Sequence, residues 1–138
     1  MGTWDASAFG NDDAADFLYE FDDADSVAKV VPILENALDT VLEATTEIES
    51  SEGAVGIAAA ALVVAWNEPA LLANLTSETL SPWPRNNELL PARLPAKASK
   101  VLDRMLSAEE NELAELWEEA EELPEFTTEL TRWRSRLA

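Results

Sequence analysis

The chain has 138 residues, with 9 Lys+Arg against 28 Asp+Glu and a formal net charge of −19. A charge of this sign repels nucleic acid and anionic membrane, so neither is an expected partner. It contains neither cysteine nor histidine, which excludes disulfides, thiolate and Ser-His-Asp chemistry and the commonest metal ligand, and leaves carboxylates as the sole source of acid-base catalysis.

The length is that of one domain, and no linker or repeat divides residues 1–138. Met1 to Gly10 carries no basic start followed by an apolar run, so no secretory signal is expected. The longest apolar stretch, Gly53 to Trp66, is shorter than the roughly 20 residues that cross a bilayer. A soluble, cytoplasmic protein is the expectation. Acidic charge concentrates in residues 1–52, where Lys29 is the single base, and again in 108–138, while 53–107 is nearly neutral.

Asn11 is suited to cap a first helix, with Asp12 and Asp13 in its first turn, where the helix dipole favours negative charge. Ala14, Phe17, Leu18 and Phe21 then share one face. Ser26 can cap a second helix whose stripe runs Val27, Val30, Leu34, Leu38, Val41, Thr45, Ile48; a start near Ser26 is preferred over one near Val31, despite Pro32. From Ala54 to Trp66 no polar face exists, so this helix is expected at the centre of the bundle, its alanines letting neighbours approach. Residues 67–95 hold five prolines and several leucines, the pattern of a covering loop.

A further helix is expected over about Ala96 to Leu106, with Val101, Leu102, Met105 and Leu106 inward. Ser107 and Glu110 have the spacing of a capping box opening the last helix. Leu113, Leu116, Trp117, Ala120, Leu123, Phe126, Leu130, Trp133 and Leu137 keep one register through Pro124, which predicts one long helix kinked at the proline. The fold class is therefore all-α, an irregular or orthogonal bundle of five or six helices around the apolar helix at about 54–66.

Asp12-Asp13-x-x-Asp16 has the form of a Mg²⁺-diphosphate motif, but a chain this short can hardly build the helical cavity that motif serves, and capping plus a solvated face is the preferred reading. Glu109/Glu112 and Glu115/Glu118 are the pairs that a Mg²⁺-dependent all-α phosphohydrolase would use, the alternative function. Trp66, Trp117 and Trp133 belong to apolar faces and are assigned to the core. Trp83, between two prolines and followed by Arg85, has the character of an interface anchor. Arg85, Arg93, Lys97, Lys100 and Arg104 form the basic neighbourhood, which can pair with acids of the same fold.

Gly2-Thr3-Trp4, Phe9 and Asn11-Asp12-Asp13-Ala14 with Asp16-Phe17, together with Asn111 to Glu119, Trp133 and Arg136-Leu137, resemble the two ends of a bacterial family, the DUF4259 domain of unknown function. The chain departs from that pattern in having Asp5 and Ser7 where glycines are expected, from which a less tight N-terminal turn is expected. The resemblance implies a small bacterial protein and draws weight to Trp4, Asn11, Asp12 and Asp16. It supplies no catalytic, cofactor-binding or metal residue.

On these grounds the expected function is a non-enzymatic interaction module, monomer or homodimer, with no cofactor. Its expected partner is a basic protein, as for an immunity protein or antitoxin. Trp4, Asn11, Asp12, Asp16, Trp83 and Arg85 are the candidate interaction residues.

Overall fold

The computed structural model describes Asp16, Phe17, Glu20 and residues 27–44, 46–67, 90–107 and 109–137. The chain is all-α, and five packed helices form the described part: α1 Val27–Leu42, α2 Ser50–Asn67, α3 Arg93–Leu106, α4 Glu112–Glu119 and α5 Leu123–Arg134, the last running into a 3₁₀ turn Ser135–Leu137. No described helix is long and apolar enough to cross a membrane.

Helix α2 is the hub, touching each of the other four. Every residue from Gly56 to Trp66 is buried, as a helix without a polar face requires. Close approach is achieved by glycine as well as alanine. A Cβ on Gly56 would stand 2.5 Å from Val41 Cγ2, and one on Gly53 2.6 Å from Met105 Cε. The missing side chains thus let α1 and α3 press against the N-terminal half of α2.

Helix α1 begins at Val27, next to the expected cap, and buries Val30, Val31, Leu34, Ala37, Leu38 and Val41. Pro32 lies inside it on the exposed side. The helix stops at Leu42, whereas the apolar stripe was expected to carry it through Thr45 to Ile48; Thr45 lies outside the described residues. Ile48 is fully buried, but in extended backbone, where it forms a parallel bridge with Asn111. A core-facing residue at helical spacing can be supplied by a neighbouring strand-like segment, and spacing alone does not tell the two apart.

Helix α3 starts three residues earlier than expected, at Arg93, because Pro95 occupies the first turn, where its missing N–H costs no hydrogen bond. Leu94, Ala98, Val101, Leu102 and Met105 are its buried stripe.

The C-terminal region corrects two expectations. The capping box at Ser107 does not open a helix: Ser107 ends α3, and its Oγ accepts from Glu109 N at 3.3 Å. The cap is Asn111, whose Oδ1 accepts from Ala114 N at 3.1 Å. The single kinked helix is two helices. Helix α4 ends in a turn in which Glu121 N donates to Glu118 O and Glu122 N to Trp117 O, with Glu121 at φ 60°. Those two bonds and that left-handed residue make a Schellman ending, here with glutamate where glycine is usual. Pro124 then sits in the first turn of α5, the helical position that tolerates it. The apolar register survives because the break takes up about one turn of chain. Trp117 and Phe126 stack across it, with ring centroids 6.1 Å apart and planes 18° from parallel. Trp66, Trp117 and Trp133 are all buried, as expected.

Candidate functional site

Of the expected interaction residues, Trp4, Asn11, Asp12, Trp83 and Arg85 lie outside the described residues. Asp16 is exposed, on a helical turn beside the buried Phe17. What the described residues bring together is a different set of carboxylates, at the N-terminal end of α2.

Charge is handled in two ways. Along the seam between α1 and α3 it is neutralised locally. Arg93 Nε donates to Glu35 Oε2 at 2.7 Å, and Lys97 Nζ reaches Glu35 Oε2 at 2.9 Å and Asp39 Oδ1 at 2.8 Å. These bonds hold the Glu35 carboxyl at about 2, with Arg93 the larger influence and Lys97 the next. The basic neighbourhood of the sequence is therefore partly consumed in pairing with acids of the fold.

The second region surrounds the Ile48–Asn111 bridge. Ile48 N donates to Glu110 O at 2.7 Å and Glu112 N to Ile48 O at 3.0 Å, tying the segment before α2 to the start of α4. Asn111 is the buried polar residue among those described. Its Nδ2 donates to Met105 O and to Ser107 O, both at 2.9 Å, so one amide closes the end of α3 and caps α4. All its donors and its carbonyl are used, as a buried amide demands.

Around this junction carboxylates accumulate. Glu112 Oε1 accepts from Ser50 N at 2.8 Å, and that backbone N–H holds its carboxyl below the usual range. Glu112 thus caps α2, where the helix dipole also favours its charge. Glu47 is pushed the other way: the negative charge of Glu115 above all, then partial burial, Glu112 and Glu110 raise its carboxyl. No lysine or arginine among the described residues forms an ion pair with Glu47, Glu115, Glu118 or Glu119. The pairs expected of a phosphohydrolase are differently disposed, with Glu112 engaged on Ser50 and Glu109, Glu115 and Glu118 exposed. Among the described residues no three carboxylates converge in an arrangement that could hold a metal ion.

Leu116 stands in this acidic face. It was expected inward with Leu113 and Trp117, yet 43% of it is exposed, the exposed large hydrophobic residue of the described set. In a helix of eight residues Leu113, Ala114 and Trp117 already occupy the buried side. Helical geometry at 3.6 residues per turn puts Leu116 about a quarter-turn from that side, one turn from both Glu112 and Glu119. Leu116 is also about 60° from Leu113 on the helical wheel, so spacing alone points it inward; the packing of Ala114 and Trp117 is what turns it out.

A groove of about 210 Å³ adjoins the same end of α2. It lies between α1 and α2, with Phe17, Ile33 and Val55 among its apolar lining residues and Glu20, Thr40 and Glu52 among its polar ones. Sequence reading missed it, since periodicity within single helices does not show how Phe17, Glu20, α1 and α2 pack against one another.

The profile of the family described as Domain of unknown function (DUF4259) matches residues 2–129. The chain belongs to this family. The DUF4259 match takes in α1 to α4 and ends within α5, although Leu130 and Trp133 beyond it are buried and complete the packing of that helix. Asn111 and Trp117, which carry part of the resemblance, have structural roles here, as the buried junction and as a core ring stacked on Phe126. Neither a curated protein nor a solved structure matches this DUF4259 chain.

Proposed function

We propose that this DUF4259 chain is a non-enzymatic interaction module that docks a basic protein partner on the acidic face of α4, as an immunity protein or antitoxin does. The observation that supports it is Leu116, exposed among Glu112, Glu115 and Glu119 where no described cation pairs with Glu115 or Glu119. An apolar anchor ringed by one sign of charge suits a partner of the opposite sign: the charge steers encounter and selects the partner, and the buried side chain slows dissociation.

The test is capture of partners by the immobilised chain at low and high salt, with identification of what is retained. A basic protein held at about 50 mM salt and largely released at about 500 mM is expected, since exposed charges are screened over that range. Glu115→Lys with Glu119→Lys should abolish capture, and Leu116→Ala should weaken it by about tenfold, the scale of one buried anchor. Both variants should keep the helical circular dichroism of the parent. No retained partner, or one indifferent to salt and to both variants, overturns the proposal.

A further inference from the structure

The groove between α1 and α2 is the described feature that the acidic face does not absorb. At about 210 Å³ it is smaller than the roughly 300–1,000 Å³ of pockets that enclose a drug-sized ligand. It is also several times larger than the roughly 30 Å³ that a water molecule occupies. One extended side chain is the size of object it matches.

Its lining specifies the chemistry of that side chain. Phe17, Ile33 and Val55 offer apolar surface, while Glu20 and Glu52 bring two carboxylates, and no lysine or arginine is among the described lining residues. In a cleft, an uncompensated pair of like charges focuses potential that draws a counter-ion. Thr40 Oγ1 spends its proton on Asn36 O at 2.9 Å, so the hydroxyl faces any ligand as an acceptor. A ligand with an apolar stem and a head that only donates fits such a wall, which is the description of lysine and arginine.

The groove also adjoins the acidic face. Ser51 and Glu52 line it, and the preceding residue, Ser50, is the one whose N–H binds Glu112. The groove and the Glu112 contact thus share the first turn of α2, and one basic partner would have to bridge from there to the exposed side of α4.

We infer that the groove takes one long cationic side chain, lysine or arginine, from the basic partner, its stem on Phe17, Ile33 and Val55 and its charge at Glu20 and Glu52. This inference rests on the partner reading above, and its test separates the two. The full chain is titrated, with amide NMR detection, with acetylated and amidated Gly-X-Gly peptides in which X is lysine, arginine or norleucine.

The lysine and arginine peptides are expected to shift the amides of Thr40, Glu52 and Val55 saturably. Norleucine, which keeps the stem and drops the charge, should bind about tenfold more weakly, and Glu52→Gln should weaken the lysine peptide by roughly three- to tenfold, the range for a partly exposed ion pair. Glu20→Gln is a second, independent variant with the same expectation. Absence of saturable shifts at these amides, equal binding of norleucine, or shifts confined to Glu47 and Glu115 overturns the groove. If a salt-sensitive partner is captured equally by the parent and by Glu52→Gln, the groove inference fails and the acidic-face reading stands. If the peptides bind as expected but no partner is captured, the groove stands as a cation site and the acidic-face reading fails.

Discussion

The α1–α3 seam and the Ile48–Asn111 junction both tie together segments about 60 residues apart in sequence, and they do so by opposite means. The seam uses full charges in partly exposed positions, Arg93 and Lys97 on Glu35 and Asp39. The junction uses one neutral amide, wholly buried, with each of its groups satisfied. Water competes for the charges of the seam and screens them, so short ion pairs there add little to stability. At the junction Asn111 is closed off from solvent, and removing its amide strands the Met105 carbonyl and the Ala114 N–H in the interior and releases the half-buried Ser107 carbonyl. Short distances are found in both regions; burial is what separates their energetic weight.

The strongest way to break this comparison is at Asn111. Asn111→Ala should cost about 3 kcal/mol, from the lost cap, the stranded carbonyl of Met105 and the released carbonyl of Ser107. Asn111→Asp should cost more, about 4 kcal/mol, because a carboxylate would face those two carbonyls with no proton to give. Urea unfolding measures both. A cost below that of removing Arg93 or Lys97 would reverse the ranking of the two regions.

Next in size is Gly56→Ala, which leaves every charge of the seam in place and pushes α1 away from α2. The new Cβ would meet Val41 Cγ2 at 2.5 Å, and Val41 is branched and stiff at χ1. A net loss of about 1–2 kcal/mol is expected, overpacking exceeding the gain in helix propensity. Gly53→Ala is the control: its Cβ meets the far end of Met105, which can swing aside, so thermal denaturation should show a change within about 1 kcal/mol of zero.

The smallest effects are expected from the charges themselves, and they differ in sign. The Glu35 carboxyl is lowered from 4.5 to about 2 in the fold. Its contribution is complete above about 4.5 and is lost as pH falls through about 2, so Glu35→Gln should lower the melting temperature slightly near pH 7 and progressively less as the solution is acidified toward 2. The Glu47 carboxyl is raised, so ionisation is disfavoured in the fold. Its favourable share is present below 4.5 and disappears as pH rises through the raised value, and Glu47→Gln should raise the melting temperature slightly near pH 7 and leave it unchanged in acid. Added salt should shrink both effects. Melting curves in which both variants shift the same way would show that the two regions do not treat charge differently.

How much of this was legible in the sequence depended on whether a residue's environment came from its own helix. The central position of α2 could be read because a helix with no polar face has to be surrounded on all sides. The start of α1 and the stripe of α3 followed from local spacing. The cap at Asn111 was missed because Ser107 fits the local capping pattern equally well. The choice between them was made by Ile48, more than 60 residues away, whose backbone pairs with Glu110 and Glu112 and fixes where α4 begins. Leu116 was misplaced because it stands beside Leu113 at helical spacing, and which edge of that apolar arc faces the core was set by how α4 packs.

The acidic balance, the lack of histidine and cysteine, and the all-α class with α2 at its centre were determined by the sequence alone, since they depend on composition and on periodicity within single segments. Which carboxylates find a cation, which one caps α2 and which crowd around Glu47 was decided only by the tertiary structure. Coulomb and hydrogen-bond energies depend on distance and exposure in three dimensions, and neither is encoded within one helix. The two adjoining features on which function is proposed, the face around Leu116 and the groove beside Glu52, belong to that second group.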